Sequence, residues 1–213
     1  MDSNISLTNG MITLRPYRDE DAEALFEAAR ESIPEMTPWM PWCHPDYSIQ
    51  ESREWITSCF DNWEKGNSYN FAITNTETGK YLGGCGINDF HRDHDVANLG
   101  YWVRTSETKK GVATMTTLLL ADFGINELKL KRIEIVIDVD NVASQRVAEK
   151  SGATREGILR NRLAQHGKPT DAVMFSLIPP MSFPQRREST GIEEIKPENQ
   201  RDSSLPDFIK DSE

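Results

Sequence analysis

The chain has 213 residues, a length that allows a single domain with a complete hydrophobic core. Its formal net charge of −10 lacks the basic field that non-specific nucleic-acid binding needs, so the sequence predicts no direct nucleic-acid partner. The acidity favours a cationic partner, such as an amine or a basic protein surface, although solubility alone would also explain it.

The location of the protein and the chemistry of its cysteines follow from what the sequence lacks. No apolar run approaches 18 residues, and the first residues carry neither the basic nor the apolar region of a secretory signal. The three cysteines, Cys43, Cys59 and Cys85, are widely spaced and form no Cys-x-x-Cys pair. We therefore expect a reducing, cytoplasmic location, no membrane partner, no disulfide framework and no metal site.

The first elements are a strand and a helix. The strand is predicted at 12–14. The helix begins near Asp19, where acidic residues suit the positive end of a helix, and continues with good helix formers. Pro34 and Pro38 are expected to break it.

A second helix and three strands follow a Trp- and Pro-rich loop. The helix is predicted over 52–63, where apolar residues recur at helical spacing and Trp55 and Trp63 are expected in the core. The strands are predicted at 70–74, 81–87 and 97–103. The last two are expected to be antiparallel because their connection is short. That connection, 89–95, is polar and charged and is expected to be a loop.

Residues 101–114 read as a strand, a short basic loop and the start of a helix. A loop that opens into a helix N-terminus presents free backbone N–H groups, and this arrangement holds phosphates. Lys109 and Lys110 add charge, and Gly111 lets a ligand approach the backbone closely. The loop lacks the Gly-Lys-Ser/Thr ending of a nucleoside-triphosphate loop and the three glycines of a dinucleotide fingerprint.

A second strand and helix follow. Residues 132–140 are strongly β-branched and alternate, which predicts a strand. Asn141 is placed to cap the helix after it, and Gly152 stands where a left-handed C-terminal residue is expected. Two final strands are separated by a turn near 167–171.

These motifs, in this order, resemble the GNAT N-acetyltransferase superfamily over residues 8–180. The shared features are the loop at 108–113, the Asn-x-x-Ser pattern at 141–144, and the early Ile-Thr-Leu-Arg-Pro and Trp-Met-Pro-Trp segments. The branch that is most similar is that of the ribosomal-protein (Rim-type) N-acetyltransferases. The resemblance implies an α/β (α+β) fold with a mostly antiparallel central sheet, splayed around an acetyl-CoA cleft, and helices on both faces. It implies one domain over 8–181.

The resemblance also implies that acetyl-CoA is the co-substrate, bound by the loop, the adjoining strand and the next helix. The residues assigned to this role are Trp102, Val103, Thr108, Lys109, Lys110, Gly111, Val112, Ala113, Thr114, Asn141 and Ser144. Thr108 stands where the family has Gln or Arg. Gly100 is consistent with the bulge that the family carries in this strand.

The catalytic assignments follow the same resemblance. Ser144 is expected to donate to the departing sulfur, as a serine does in Rim-type relatives, although a capping role is the alternative. Many relatives carry a glutamate base where Asn98 stands here, and an amide cannot take a proton usefully. His91 or His94, next to acidic residues in the 89–95 loop, is a candidate base. His166 and Asp171 are further candidates, and the proton could also leave through water.

The acceptor side is expected to involve Trp39, Trp42 and Tyr101. The expected acceptor is a primary amine, most simply a basic protein N-terminus, and the protein is expected to be a monomer or a homodimer. A small-molecule amine such as a polyamine, an antibiotic or an amino acid is one alternative. A catalytically silent module that binds only coenzyme A or a partner is another. Residues 182–213 have little apolar content and are expected to form an acidic, disordered tail.

Overall fold

The structure is a computed structural model that describes residues 5–180, and these residues form one compact unit. Each helix begins and ends at recognisable sequence signals. At the start of α2, for example, Ser48 and Glu51 form a reciprocal capping box, and Gly66 closes the helix with a φ of 64°. The elements are, in chain order, β1 (Leu7–Thr8), β2 (Ile12–Pro16), α1 (Ala22–Met36), α2 (Ile49–Lys65), β3 (Tyr69–Asn75), β4 (Tyr81–His91), β5 (Val96–Val103), α3 (Val112–Asn126), β6 (Arg132–Asp138), α4 (Val142–Lys150), β7 (Thr154–Gln165) and β8 (Lys168–Leu177).

The strands form one mixed sheet in the order β1-β2-β3-β4-β5-β6-β8-β7. Every neighbouring pair is antiparallel except β5 and β6, which are parallel. These two strands pair only from Val96 with Arg132 to Asn98 with Glu134. Beyond that point β5 stays paired with β4 and β6 stays paired with β8, so the sheet splays open between them. The fold predicted from the sequence, including this opening, is confirmed.

Helices cover both faces of the sheet. Phe71 and Ile73 on β3 pack in the cluster that contains Phe123 of α3, whereas Ala72 between them packs in a second cluster with Leu25 of α1 and Ile56 of α2. Because successive strand side chains point to opposite faces, α3 lies on one face while α1 and α2 lie on the other. Among the described residues, no helix is both long and apolar enough to cross a membrane.

Three local expectations were wrong. Pro34 does not break α1 but lies inside it, two residues before the helix ends at Met36, where only the last turn loses a hydrogen bond. The predicted 89–95 loop is partly strand, because β4 continues to His91 before a 3-10 turn. Trp63 is in the core at 9% exposure, but Trp55 is 44% exposed.

Gly100 also differs from expectation. It pairs in regular register with Gly86, and the irregularity between β4 and β5 lies instead between Asn88 and His91. The bulge therefore does not occur at Gly100. The predicted disordered tail at 182–213 lies outside the described residues and stays a prediction.

Candidate active site

The loop between β5 and α3 is shaped by two residues with left-handed backbone conformations. Lys109 has a φ of 63°, and Gly111, the N-cap of α3, has a φ of 82°. A Cβ added to Gly111 would meet no atom within 4 Å, so backbone conformation rather than space explains the glycine. No side chain caps α3, which leaves its first N–H groups, at Val112, Ala113 and Thr114, available to an anion.

The positive charge at this loop is organised by a carboxylate. Glu107 accepts from Lys80 Nζ at 2.6 Å through Oε1 and from Lys110 Nζ at 2.9 Å through Oε2. These bonds, first that of Lys80 and then that of Lys110, hold the pKa of Glu107 below its usual value. The sequence did not point to Lys80, which comes from the turn between β3 and β4. The lysines outnumber the carboxylate in this group, so the loop keeps a net positive charge that fits a pyrophosphate.

The opening between β5 and β6 is spanned by two hydroxyl groups. Tyr101 Oη lies 2.9 Å from Ser144 Oγ and donates to the Ser144 carbonyl oxygen at 3.2 Å. Asn141 Oδ1 accepts from the Ser144 N–H at 3.0 Å, so Asn141 is the cap of α4, as predicted, and Ser144 Oγ is not used for capping. Burial, opposed by the bond with Ser144, raises the pKa of Tyr101 to about 12. Tyr101 therefore stays protonated at neutral pH.

A cavity of about 350 Å³ lies on the face of the sheet that α1 and α2 cover. Its floor is formed by β4 and β5, and its walls come from α1, α2 and the segment between them. Trp42 packs edge-on against Trp102, with ring centroids 5.5 Å apart, and against Tyr47 at 5.7 Å. The lining residues are Tyr17, Leu25, Met40, Trp42, Tyr47, Glu51, Trp55, Asn70, Gly84, Cys85, Gly86, Asn88, Gly100, Tyr101 and Trp102.

Glu51 is the one charged residue in that lining. Its Oε2 accepts from Ser48 N and Ser48 Oγ, both at 2.8 Å, and its Oε1 lies 2.9 Å from His44 Nε2. The bonds with the Ser48 hydroxyl and backbone are the main reason that the pKa of Glu51 is lowered. The Ser-x-x-Glu spacing would have revealed the capping box. It could not have revealed that the carboxylate faces a cavity.

Comparison with known proteins identifies the family of the chain. The profile of the GNAT acetyltransferase domain matches residues 11–154. The chain is also 30% identical, over 167 residues, to the uncharacterized N-acetyltransferase p20 of Bacillus licheniformis, covering 78% of this chain and 92% of that protein. The chain belongs to the GNAT acetyltransferase family. It is an N-acetyltransferase.

Solved GNAT structures agree in fold. A structure provisionally named a ribosomal-protein-serine acetyltransferase, from Vibrio cholerae, is 30% identical with a TM-score of 0.73, covering 84% of this chain and all of that one. RimL, a ribosomal L7/L12 α-N-protein acetyltransferase, was solved in complex with coenzyme A. The two structures match with a TM-score of 0.75 at 20% identity, over 82% of this chain and 98% of RimL.

Several predicted site residues come together in this GNAT fold. Ser144 and Tyr101 are in contact, Asn141 caps the helix that carries Ser144, and Trp42, Tyr101 and Trp102 line the cavity. Tyr101, assigned to the acceptor, thus also touches the residue assigned to catalysis.

Other predicted residues lie elsewhere. Trp39 is not part of the cavity lining, and its carbonyl oxygen accepts from Gln165 at 3.1 Å. Val103 ends β5 opposite Gly83, and Thr108 is exposed just before the left-handed turn. The assignments of Trp39, Val103 and Thr108 stay predictions.

The expected base has no support from geometry. Asn98 donates to Asn88 Oδ1 at 2.9 Å, an amide pair beside the cavity. His91 lies in a separate groove with Phe90 and Arg92, roughly 10 Å along β4 from Asn88 of the cavity lining. The other candidates, His166 and Asp171, bond to the carbonyl oxygen of Thr37 and to the N–H of Asn161. Across residues 5–180, no group of three or more His, Cys, Asp or Glu side chains could hold a metal ion.

Proposed function

We propose that this protein transfers the acetyl group of acetyl-CoA to the free amine of a protein N-terminus, by direct attack in a ternary complex. The observation that carries the proposal is the position of Tyr101. Tyr101 is among the residues of β5 that line the cavity, and its hydroxyl reaches Ser144 in the opening between β5 and β6. An amine held in the cavity and a thioester held in the opening would meet at this residue.

The thioester side is provided by backbone groups. The residues of β5 after Asn98 pair with β4 only, so their N–H and C=O groups that point toward β6 have no strand partner. Such groups can bind the amide groups of a pantetheine arm and polarise a thioester carbonyl. The loop at Lys109–Gly111 and the N-terminus of α3 would then hold the pyrophosphate.

The departing sulfur would be stabilised by Ser144. The amine nitrogen forms the new C–N bond while the C–S bond breaks, and negative charge develops on sulfur. The Ser144 hydroxyl would donate a hydrogen bond to that charge, which stabilises the transition state more than the ground state. Tyr101, protonated at neutral pH, donates to the Ser144 carbonyl oxygen, and the Ser144 hydroxyl would turn from Tyr101 Oη to the sulfur when coenzyme A is bound.

None of the residues predicted from the sequence as a base is placed to take the proton of the attacking amine, and the Glu51 carboxylate of the cavity is held by Ser48 and His44. Asn98 is an amide paired with Asn88, and His91 lies in another groove. We therefore propose that this proton leaves through water. The reaction rate would then rise with pH until the acceptor amine is deprotonated, without a second ionisation from the enzyme.

A protein acceptor is supported by the relatives. The Vibrio cholerae structure, at 30% identity over its whole length, carries the provisional name of a ribosomal-protein-serine acetyltransferase. The acidic charge of the chain also suits a basic acceptor.

The test is acetylation of synthetic peptides with a free N-terminus. Release of free thiol from acetyl-CoA is followed, and the product is located by mass spectrometry. The control is the same peptide with a blocked N-terminus. Acetyl transfer to the N-terminal amine supports the proposal. Acetyl-CoA binding by calorimetry without transfer to any amine would identify a silent module, and transfer to small amines alone would identify a small-molecule enzyme.

A further inference from the structure

Nothing in the described protein explains why position 100 lacks a side chain. Gly100 lies within the regular part of β5, opposite Gly86, and a Cβ added there would meet no atom within 4 Å. The two facing glycines are different. A Cβ at Gly84 would collide with the Tyr17 hydroxyl and the Trp102 indole nitrogen, and one at Gly86 would collide with the Asn70 amide oxygen. Those glycines make room for neighbouring side chains, whereas Gly100 leaves open space in the cavity floor.

The walls around this space are aromatic. Trp42 and Trp55 are 39% and 44% exposed, which is unusual for tryptophan, and both face the cavity. Tyr47 and Trp102 pack against Trp42 and complete this part of the wall. Aromatic walls favour large apolar groups and attract cations to their ring faces.

The charge in the cavity lining is negative only. Glu51 is the one charged lining residue, and its low pKa keeps it ionised at neutral pH. No lysine or arginine lines the cavity. An acid group on a ligand would therefore approach a carboxylate and lose its hydration without gaining a cationic partner. An amine or an apolar group carries no such penalty.

We propose that the cavity selects acceptors whose reacting amine is next to a large apolar side chain, aromatic in the best case, and rejects acceptors with an acid there. This inference rests on the proposed function and takes the acceptor as the first residue of a peptide. The α-amine lies at the Tyr101 end of the cavity. The side chain lies over Gly100 and between the rings of Trp42 and Trp55.

The first experiment compares peptides that differ only in their first residue: phenylalanine, leucine, serine or aspartate. We expect kcat/KM to be at least tenfold higher for phenylalanine than for serine, and lowest for aspartate. Equal or better use of the serine or aspartate peptide overturns the inference. A parallel arm uses 2-phenylethylamine and ethanolamine.

The parallel arm separates this inference from the proposed function. Acetylation of 2-phenylethylamine at least tenfold better than ethanolamine, with no peptide acetylated, supports the cavity's selectivity and contradicts a protein acceptor. Acetylation of peptides with serine favoured supports the proposed function and overturns the selectivity. Failure to acetylate any amine, with acetyl-CoA bound, overturns both.

Filling the open space is the sharper test. Gly100→Val places its side chain where no protein atom is met, and the backbone there is not left-handed, so the variant is expected to fold normally. It should lower kcat/KM for the phenylalanine peptide at least tenfold and leave that for a glycine-starting peptide within about twofold. The matched control is Gly157→Val on β7, where a Cβ also meets no atom. Equal losses on both peptides overturn the inference.

The charge is tested at Glu51. Glu51→Gln keeps an oxygen that can accept from Ser48, so the start of α2 is retained. It should raise the kcat/KM ratio of aspartate to phenylalanine peptides at least fivefold. Glu54→Gln, one turn along the same helix and outside the cavity lining, should not change the ratio. An unchanged ratio in Glu51→Gln overturns the role of this charge.

Discussion

The proposed cofactor side and the proposed acceptor side of this molecule, called below the cofactor side and the acceptor side, are built in different ways. The cofactor side uses a left-handed turn, two helix N-termini and an unpaired strand edge, all within residues 98–150. The acceptor side uses side chains from α1, α2, the segment between them, β3, β4 and β5. A site made of backbone geometry in consecutive residues leaves a local sequence motif. A site made of side chains from distant segments leaves none, and only the folded chain reveals it.

The largest expected effect is a loss of CoA affinity when the left-handed turn before α3 is disrupted. Gly111→Val forces a β-branched residue to a φ of 82°, which costs about 1–3 kcal/mol in strain and turns the first N–H groups of α3 away from a phosphate. Losing one or two charged hydrogen bonds lowers CoA affinity by about 3 kcal/mol, roughly a hundredfold. Calorimetry with coenzyme A measures this.

The matched control is Gly10→Val, at a φ of 88° in the turn between β1 and β2, where a Cβ also meets no atom. It should lower the melting temperature to a similar extent and leave CoA affinity unchanged. If both variants lose stability alike and both still bind coenzyme A normally, the phosphate site lies elsewhere.

Ser144→Ala tests the chemistry where the two sides meet. Because Ser144 Oγ is bonded to Tyr101 and does not cap α4, its loss should lower stability by only about 0.5–1.5 kcal/mol. Turnover should fall about tenfold or more, since the hydroxyl acts on charge that develops in the transition state. Steady-state kinetics and thermal melting on the same variant distinguish a catalytic role of the hydroxyl from a structural one.

Asn141→Ala is the counterpart that removes the cap and keeps the hydroxyl. It should cost about 0.5–2 kcal/mol of stability, with a smaller effect on turnover than Ser144→Ala. Normal turnover in Ser144→Ala would leave the chemistry to the backbone of β5 alone.

The same difference explains what the sequence could predict. The fold and the cap at Asn141 were predicted correctly because cap residues and strand alternation act through neighbouring residues, and the left-handed glycine before α3 matches the predicted loop, whose phosphate binding stays a prediction. Glu51 and Lys80 were missed because their importance depends on partners that only the fold brings near, at His44 and Glu107. Gly100 was assigned to a bulge because the sequence does not show whether a glycine in a strand allows an unusual backbone conformation or leaves space for a ligand.

A smaller effect is expected from charge reversal on the cofactor side. Lys110→Glu removes a cation from the phosphate loop and places a second carboxylate beside Glu107, which also binds Lys80. Losing one charged hydrogen bond of about 1.5 kcal/mol lowers CoA affinity roughly tenfold. Lys65→Glu, at the end of α2 on the acceptor side, is the control and should leave the affinity unchanged. Equal affinity in both variants would mean that Lys110 does not contact phosphate.

The smallest expected effect concerns Glu31, which joins the two sides. From α1 it accepts from Arg104 Nε at 3.0 Å and from the Ser106 N–H at 2.7 Å, just before the phosphate loop. The bond with Arg104 is the main reason that its pKa is lowered to about 2 from an ordinary 4.5. A carboxylate with a lowered pKa contributes stability above pH 4.5, and that contribution is lost as the pH falls toward 2. Glu156, lowered to about 2 by Arg132, behaves in the same way on the sheet.

Glu31→Gln and Glu156→Gln therefore form a matched pair. Each should lower the melting temperature at pH 6 and make it less dependent on pH between about 4.5 and 2, because each removes one acid-sensitive contact. Only Glu31→Gln should also weaken coenzyme A binding, by about two- to fivefold, since Arg104 and Ser106 lose the anchor that holds the segment before the loop. Melting from pH 2.5 to 6 and calorimetry at pH 7 measure the two effects. If both variants bind coenzyme A alike, the contacts of Glu31 do not position the phosphate loop, and the remaining bonds from α1 to Thr105, made by Ser32 and Glu35, are the next to be tested.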